Sequence, residues 1–332
     1  MDYIKYSFIV PVKEINDYIR ESIPKILEIN RDDFEIIIYP NELPVENCVW
    51  GKTKIIASGS SGQQRGPAYK RNLAIKDAQG DILIFIDDDA YLENNFLDIL
   101  DKDFNDQSIS AVGGPAVTPP NDNFWQKVAG AVSLSSLSGG FPERFAPVGK
   151  KRFIDDWPSV NLSIRKSIFE KIGGFDCSYW PGEDTKLCLD IVKSGGKILY
   201  NPDLIVYHHR RPGLMHHLKQ QGGYGLHRGF FAKKFPETSF RLKSFPPSAL
   251  VLFVICGAVL SYFYQWALYL YLLGWGVYIL ALLKASYDIY KHEKNVLIVL
   301  NAVYYIFLTH IWYGIRFIQG FVFTKDLKSK LR

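Results

Sequence analysis

The sequence contains few cysteines and no pattern that would cross-link them. The four cysteines, Cys48, Cys177, Cys188 and Cys256, show neither CxxC spacing nor an accompanying histidine pattern. This argues against a zinc site and against a disulfide scaffold, and it is typical of thiols in a reducing compartment. The N-terminus also lacks the charged segment and cleavage site of a signal peptide. We therefore expect the part of the chain that precedes any membrane segment to stay on the cytoplasmic side.

Charged residues are missing from one long interval, although the chain as a whole has a formal charge of +5 over 332 residues. Phe245–Leu283 contains no Asp, Glu, Lys, Arg or His. About 20 apolar residues cross a bilayer as a helix, so this interval predicts two spans, at about 248–263 and 266–283. A third apolar stretch follows at 296–315, and the charged Arg316 ends it. These features exclude a purely soluble protein.

The distribution of basic residues predicts the orientation of the spans. Arg241 and Lys243 precede the first span and Lys284 follows the second, so both ends belong on the cytoplasmic side. A complete third span would place the basic tail, 324–332, outside. We therefore expect the third element to be incomplete, either re-entrant or interfacial.

A basic segment precedes the membrane interval. Residues 208–243 contain eight Lys or Arg and one acidic residue, Glu237. Basic residues next to a membrane are attracted to anionic lipids. No nucleic-acid-binding motif accompanies the charge, so we expect membrane lipids rather than nucleic acid as the partner.

Short apolar runs alternate with helical patterns in the first 211 residues. The runs are typical of strands that are buried on both faces of a parallel sheet: Phe8–Val12, Ile36–Tyr39, Ile55–Ala57 and Ile82–Ile86. Pro67 begins a predicted helix that ends at Gly80. The alternation predicts an α/β domain over 1–211, followed by a basic juxtamembrane segment at 212–245 and membrane helices within 246–323.

Three successive carboxylates, Asp87, Asp88 and Asp89, follow a buried strand. Ligands of open parallel sheets bind outside the carboxyl ends of the strands. Mg²⁺ or Mn²⁺ would relieve the repulsion between adjacent carboxylates and would bridge them to a diphosphate. The alternative is a solvated strand end that caps the next helix.

Glu183 and Asp184 precede a predicted helix over Thr185–Val192. A carboxylate at a helix N-terminus is kept ionised by the helix dipole and could act as a general base. A plain N-cap is the alternative. Arg71, on the helix that begins at Pro67, is suited to phosphate or ribose contact, or it belongs to a solvated helix face. His208 is a candidate metal ligand, although an unliganded surface histidine has the same sequence signature.

Taken in order, these motifs resemble the family 2 glycosyltransferases with a GT-A fold. The resemblance rests on the strand end Val10–Glu14, the Arg71-Asn72 pair, the Asp87–Asp89 cluster as a DxD motif, the Gly173–Asp176 phrase, and Glu183-Asp184 as an ED motif. The trailing apolar helices are similar to those of membrane-anchored, succinoglycan-type exopolysaccharide transferases of this family.

The resemblance implies a role for each matching residue. Pro11 and Glu14 would line the base and ribose of the nucleotide, with Arg71 nearby. Asp87 would contact the nucleotide, while Asp88 and Glu183 would also belong to the nucleotide-sugar site. Asp89, with His208, would hold Mg²⁺ or Mn²⁺ under the donor diphosphate. Asp184 would take the proton from the acceptor hydroxyl, in a single displacement that inverts the anomeric carbon.

The implied enzyme is a multi-pass transferase of the cell membrane with a cytoplasmic catalytic domain. It would move a sugar from a UDP- or GDP-sugar to a lipid-linked or polysaccharide-precursor hydroxyl. The chain departs from the family at Tyr39–Glu42, where an Asp-Asp-Gly-Ser phrase is common, and at Gln221–Gly225, where processive members carry Gln-x-x-Arg-Trp. The second departure favours transfer of one sugar. A polyprenyl-phosphate sugar transferase and a non-catalytic nucleotide-binding scaffold are the alternatives.

Overall fold

A computed structural model describes most of the chain. The described ranges are 3–45, 48–59, 66–138 and 141–327. The predicted basic tail is described only up to residue 327, and residues 60–65 of the loop before the first motif helix also lie outside these ranges.

The described residues divide into two units. Within the described ranges, the sheet unit is formed by residues 3–119 and 146–209, and the helical unit by residues 120–138, 141–145 and 210–327. The division near residue 210 lies close to the boundary that the sequence predicts at 211. Residues 120–145 fall within the α/β domain that the sequence predicts over 1–211, because that segment has no unusual composition.

Eleven strands occur in the described residues, all of them in the sheet unit. In chain order they are β1 (Tyr6–Pro11), β2 (Phe34–Tyr39), β3 (Thr53–Ile55), β4 (Ile82–Phe85), β5 (Ala90–Leu92), β6 (Ile109–Gly113), β7 (Ala116–Val117), β8 (Arg152–Ile154), β9 (Leu162–Arg165), β10 (Lys197–Tyr200) and β11 (Val206–His208). Eight of them form a sheet in the order β3-β2-β1-β4-β9-β6-β10-β8, and three form a smaller sheet in the order β5-β11-β7.

The first half of the large sheet is parallel, as the sequence predicts. β1 lies between β2 and β4 and pairs in parallel with both, while β9 is antiparallel between β4 and β6. Successive residues of β1 point to opposite faces, so that Phe8 enters one apolar core and Ile9 the other. Burial on both faces explains why these strands are continuous apolar runs. The predicted α/β fold is confirmed.

Six helices accompany the strands in the order of the chain. They are α1 (Asp17–Leu27), α2 (Pro67–Ala74), α3 (Phe96–Phe104), α4 (Phe124–Ala131), α5 (Lys166–Ile172) and α6 (Glu183–Lys193). α4 belongs to the helical unit and the other five to the sheet unit.

The helix α2 begins at Pro67, as predicted, but it ends at Ala74 rather than at Gly80. The amide of Lys76 donates to the carbonyl of Leu73, and the amide of Asp77 to that of Ala74. These bonds span three residues instead of four, so the chain tightens and leaves the helix before the glycine.

The helical unit contains α4 and five later helices. These are α7 (Leu214–Lys234), α8 (Pro236–Ser239), α9 (Pro246–Phe263), α10 (Gln265–Glu293) and α11 (Val296–Ile318), which continues into a π-helical turn at Gln319–Phe323. By length and composition, Pro246–Phe263, Gln265–Glu293 and Val296–Phe323 are long and apolar enough to cross a membrane.

The third apolar element is longer than the sequence analysis expects. Its helical segment of 28 residues corresponds to roughly 42 Å at 1.5 Å per residue, which is enough to cross a bilayer. The charge of Arg316 predicts that the element ends at residue 315. In the structure the Arg316 guanidinium donates to the carbonyl of Gly222 and to Gln319 Oε1, so the helix continues past this residue.

The helices α7 and α11 approach each other closely at glycines. A Cβ atom at Gly225 would lie 2.7 Å from the carbonyl oxygen of Tyr313, and one at Gly229 would lie 2.1 Å from that of Phe317. The lack of a side chain at these positions is therefore required for the packing.

Candidate active site

The carboxylate cluster lies where β4 ends. All four residues of β4 are buried, and the chain then turns through Asp87–Asp89 into β5. β5 pairs antiparallel with β11, which places Ala90 opposite His208. His208 Nε2 consequently lies 3.0 Å from Asp89 Oδ1, and the amide of His209 donates to the carbonyl of Asp89. The small sheet thus brings a histidine from late in the sequence to the DxD motif.

A candidate metal site is formed by three side chains, those of Asp87, Asp89 and His208. Each offers one ligand atom, and these atoms all lie within 4.8 Å of one another. The three side chains are partly buried, with exposed fractions of 34%, 21% and 18%. Two carboxylates and one imidazole suit a divalent cation such as Mn²⁺, and the carboxylates also suit Mg²⁺. The set includes the two predicted ligands, Asp89 and His208, and adds Asp87.

Asp88 points away from this set. Its Oδ2 atom accepts a hydrogen bond of 2.7 Å from Asn16 Nδ2, and Asn16 also caps α1 by accepting from the amide of Ile19. Burial, followed by the neighbouring carboxylate of Asp89, raises the pKa of Asp88 to about 6. The hydrogen bond from Asn16 therefore orients Asp88 within the turn. Its predicted contact with the nucleotide-sugar stays a prediction.

Arg71 is buried between the two acidic motifs. Its side chain is 2% exposed, and Nη2 donates to Asp87 Oδ1 at 2.7 Å. Nη1 lies 3.7 Å from Glu183 Oε1, and the guanidinium lies over the ring of Phe175 at 5.3 Å. Nε and Nη1 have no hydrogen-bond partner among the described residues. Arg71 thus faces carboxylates of the protein rather than solvent. Its contact with the nucleotide stays a prediction.

Glu183 and Asp184 form the first turn of α6, after Gly182 with a φ of 121°. Burial, and then the charge of Asp184, raise the pKa of Glu183 well above its usual range, against the influence of Arg71. Burial also raises the pKa of Asp184, while Arg71 and two hydrogen bonds from Ser159 lower it. Burial, rather than charge pairing, therefore has the largest effect on the pKa of these two carboxylates.

Ser159 is a contact of Asp184 that the sequence does not reveal. The amide and the hydroxyl of Ser159 both donate to the Asp184 carboxylate, each at 3.1 Å. Ser159 begins a short 3₁₀ turn before β9 and is 3% exposed. No local motif marks it, because its role depends on the packing of that turn against α6.

Pro11 and Glu14 lie at the carboxyl end of β1, on the same sheet edge as the end of β4. Pro11 is buried, whereas the side chain of Glu14 is 74% exposed and lies 3.9 Å from Lys13 Nζ. The buried Lys70 Nζ donates to the carbonyl of Val12 and fixes this strand end. Glu14 is thus accessible to a ligand, while Pro11 contributes to the shape of the edge.

Comparisons with known proteins concern the family and the fold of the chain. A curated pre-mycofactocin glycosyltransferase of Mycobacterium tuberculosis is 29% identical over 52% of this chain and 36% of its own length. A Methanococcus voltae protein is 26% identical over 52% of this chain and 54% of its own length. It is named as a dolichyl N-acetyl-alpha-D-glucosaminyl phosphate 3-beta-D-2,3-diacetamido-2,3-dideoxy-beta-D-glucuronosyltransferase. The chain spans about a third to a half of the length of these relatives.

A similar solved structure is a mannosyltransferase from Pyrobaculum calidifontis in complex with GDP-Man and Mn²⁺. It is 17% identical, with a TM-score of 0.55, over 98% of this chain and 89% of its own. At this identity the likeness supports the fold, which is the expected GT-A fold. The family description "Glycosyl transferase family group 2" matches residues 82–317, from the strand before the DxD motif to the third apolar helix. Because that match covers most of the sequence, the chain belongs to the glycosyl transferase family group 2.

Proposed function

We propose that the chain transfers a sugar from a UDP- or GDP-sugar to a hydroxyl of a lipid-linked or polysaccharide-precursor acceptor, with inversion at the anomeric carbon. This proposal rests on the position of the buried Arg71 guanidinium, which faces Asp87 on one side and Glu183 on the other. Asp87 belongs to the candidate metal site with Asp89 and His208. Glu183 is next to Asp184 at the start of α6.

The donor side is assigned to the residues at the ends of β1 and β4. Asp87, Asp89 and His208 would hold the divalent ion, and the imidazole favours Mn²⁺ over Mg²⁺. Such an ion neutralises the diphosphate and so stabilises the departing nucleoside diphosphate. Pro11 and the exposed Glu14 would line the nucleotide. The complex of the Pyrobaculum mannosyltransferase with GDP-Man and Mn²⁺ supports this class of donor.

Asp184 is assigned the role of the general base. Its carboxylate is oriented by the two hydrogen bonds from Ser159 and lies at the N-terminus of α6. As the acceptor oxygen forms its bond to the anomeric carbon, the acceptor proton passes to Asp184. The bond between that carbon and the diphosphate oxygen breaks in the same step. Burial raises the pKa of Asp184, which makes its carboxylate a stronger base than that of an exposed aspartate.

The acceptor is proposed to be carried by a lipid. Membrane association is supported by three helices that are long enough and apolar enough to cross a membrane. The Methanococcus relative bears a name that includes a dolichyl phosphate-linked sugar, which supports the same class of acceptor. The basic residues on both sides of α9 and α10 favour a cytoplasmic catalytic domain.

The test is a transfer assay with the full chain in membranes, supplied with UDP- and GDP-sugars and with lipid-linked acceptors. We expect turnover that EDTA abolishes and that Asp89→Ala and Asp184→Asn each reduce by about 100-fold or more. Asp190→Asn is the matched control, since Asp190 lies on the same helix and pairs only with Lys186 in the contacts described. If both site variants retain wild-type turnover, the assignment is wrong.

The same assay separates two acceptor classes. A phosphate acceptor needs little base catalysis, so an essential Asp89 with a dispensable Asp184 would indicate a polyprenyl-phosphate sugar transferase instead. A protein that binds nucleotide but gives no product with either acceptor class would be a scaffold.

The orientation is tested by labelling cysteines in intact cells. After serine replaces the native cysteines, Tyr264→Cys, between α9 and α10, should react with an impermeant maleimide added outside. Lys294→Cys, between α10 and α11, should react only after the cells are opened. The reverse pattern would contradict a cytoplasmic catalytic domain.

A further inference from the structure

Three consecutive residues of α2 each contact a different segment of the candidate site. The buried Lys70 donates to the carbonyl of Val12 at the end of β1. Asn72 donates from Nδ2 to the carbonyl of Phe175 at 2.8 Å and accepts from the amide of Phe175 at 2.9 Å. Arg71 stands between them. One short helix thus touches the donor-side strand end, the Gly-Gly-Phe-Asp loop and both acidic motifs.

The contacts of Asn72 fix the distance between α2 and the Gly-Gly-Phe-Asp loop. A Cβ atom at Gly174 would lie 2.6 Å from Asn72 Oδ1, and Gly174 has a φ of +76°. A side chain at this position would push the loop away from the helix. The close approach therefore holds the ring of Phe175 under the guanidinium of Arg71.

Arg71 contacts carboxylates from two segments that are far apart in the sequence. Nη2 is hydrogen-bonded to Asp87 at 2.7 Å, and Nη1 lies 3.7 Å from Glu183, whose side chain is 7% exposed. With 2% of its own side chain exposed, the guanidinium offers almost no surface to a bound nucleotide. Its planar fork can address two carboxylates at once, whereas a lysine is a single point charge.

We propose that Arg71 is a positioning residue that couples the metal-side carboxylate Asp87 to the start of α6, where Asp184 lies. This inference rests on the proposed function, in which Asp87 belongs to the donor site and Asp184 is the general base. Without Arg71, Asp87 loses its orienting hydrogen bond and Glu183 becomes a buried carboxylate without a facing cation. Both motifs then lose their orientation, although neither acidic motif has been altered.

The coupling is tested with Arg71→Met, Arg71→Lys and a control, Lys151→Met. The control removes the cation that lies 2.6 Å from Asp103, a carboxylate that is 3% exposed and outside the site. Calorimetry measures the binding of GDP and UDP to the full chain, with Mn²⁺ and with EDTA. Turnover gives kcat at saturating donor, and thermal unfolding reports whether each variant is folded.

For Arg71→Met we expect the Mn²⁺-dependent part of nucleotide binding to weaken and kcat to fall, each by about 10–100-fold. Binding in EDTA should change by less than about threefold, because Arg71 makes no direct contact with the nucleotide. Arg71→Lys should recover one of these two losses but not both. Lys151→Met should lower the unfolding temperature and leave binding and kcat unchanged.

Three results would overturn the inference. An equal loss of binding in Mn²⁺ and in EDTA would make Arg71 a direct phosphate ligand. Recovery of both Mn²⁺-dependent binding and kcat in Arg71→Lys would mean that a positive charge at this position is enough, without contact to two carboxylates. A lower unfolding temperature with unchanged binding and kcat, as in the control, would make its role only structural. Failure of the proposed function is recognised separately, as absence of turnover in the wild type, and the calorimetry still tests Arg71 in that case.

Discussion

Removing the hydroxyl of Ser159 should move the acid limb of the pH–rate profile to higher pH. Asp184 can accept a proton only when it is ionised, so activity falls as the pH falls through its pKa. The Ser159 hydroxyl donates to the ionised carboxylate at 3.1 Å and thereby lowers that pKa. In Ser159→Ala this stabilisation is lost, while burial continues to raise the pKa of Asp184.

The size of the effect follows from the strength of one hydrogen bond. A hydrogen bond to a charged group contributes about 1.5–3 kcal/mol, and one pKa unit corresponds to about 1.4 kcal/mol. The amide of Ser159 still donates to Asp184 in the variant and offsets part of the loss. We therefore expect the acid limb to move up by about one pH unit, with kcat on the alkaline plateau within about threefold of wild type.

The assay is kcat against pH from about 5 to 9 at saturating donor and acceptor. Ser163→Ala is the matched control, because Ser163 is completely buried on β9 and its hydroxyl has no hydrogen-bond partner among the described residues. Its profile should coincide with that of the wild type. An acid limb that stays in place in Ser159→Ala, or moves to lower pH, would refute the assignment of Asp184 as the base.

Three further predictions concern the metal site and the packing of each unit. His208→Ala should weaken Mn²⁺ binding by about tenfold or more, measured by calorimetry, because it removes the proposed nitrogen ligand. Trp157→Phe should lower the free energy of unfolding in urea by about 1–3 kcal/mol, since it leaves a cavity and deprives the Gly114 carbonyl of a 2.9 Å hydrogen bond. Gly229→Ala should lower the unfolding temperature in detergent because its Cβ would clash with α11, whereas Gly276→Ala, with open space around it, should not. Unchanged binding, stability or melting in the respective variant would contradict each expectation.

The sequence predicts those strands and helices whose formation depends on residues close together in the chain. β1, β2 and β4 are continuous apolar runs because both faces of the sheet are buried, and the observed strands begin within two residues of the predicted ones. Pro67 marks the start of α2 for an equally local reason, its fixed φ. The apolar helices are recognisable because an interval without charge is long enough for a bilayer.

Features that depend on contacts between distant segments are not predictable in this way. The contact of Ser159 with Asp184 arises because a 3₁₀ turn packs against α6, and no spacing in the sequence encodes it. The position of Arg71 requires three segments to be packed around α2 at once. Residues 120–145 have ordinary composition, so their grouping with the apolar helices becomes visible only in the fold.

The length of the third apolar element shows a different limit. The charge of Arg316 predicts that the element ends before this residue, although a guanidinium can be accommodated where carbonyl and amide oxygens face it. Gly222 and Gln319 supply such oxygens. The charge of a residue is visible in the sequence, whereas its compensation is not.

Proton NMR of the transfer reaction, run with UDP- and GDP-sugars in Mn²⁺ and in EDTA, follows both the metal dependence and the stereochemistry of transfer. We expect the anomeric signal of one donor to disappear only with the metal. A product of opposite anomeric configuration should appear, and Asp184→Asn should suppress it by about 100-fold or more. A product that retains the configuration of the donor, or one that forms equally well in EDTA, would contradict it.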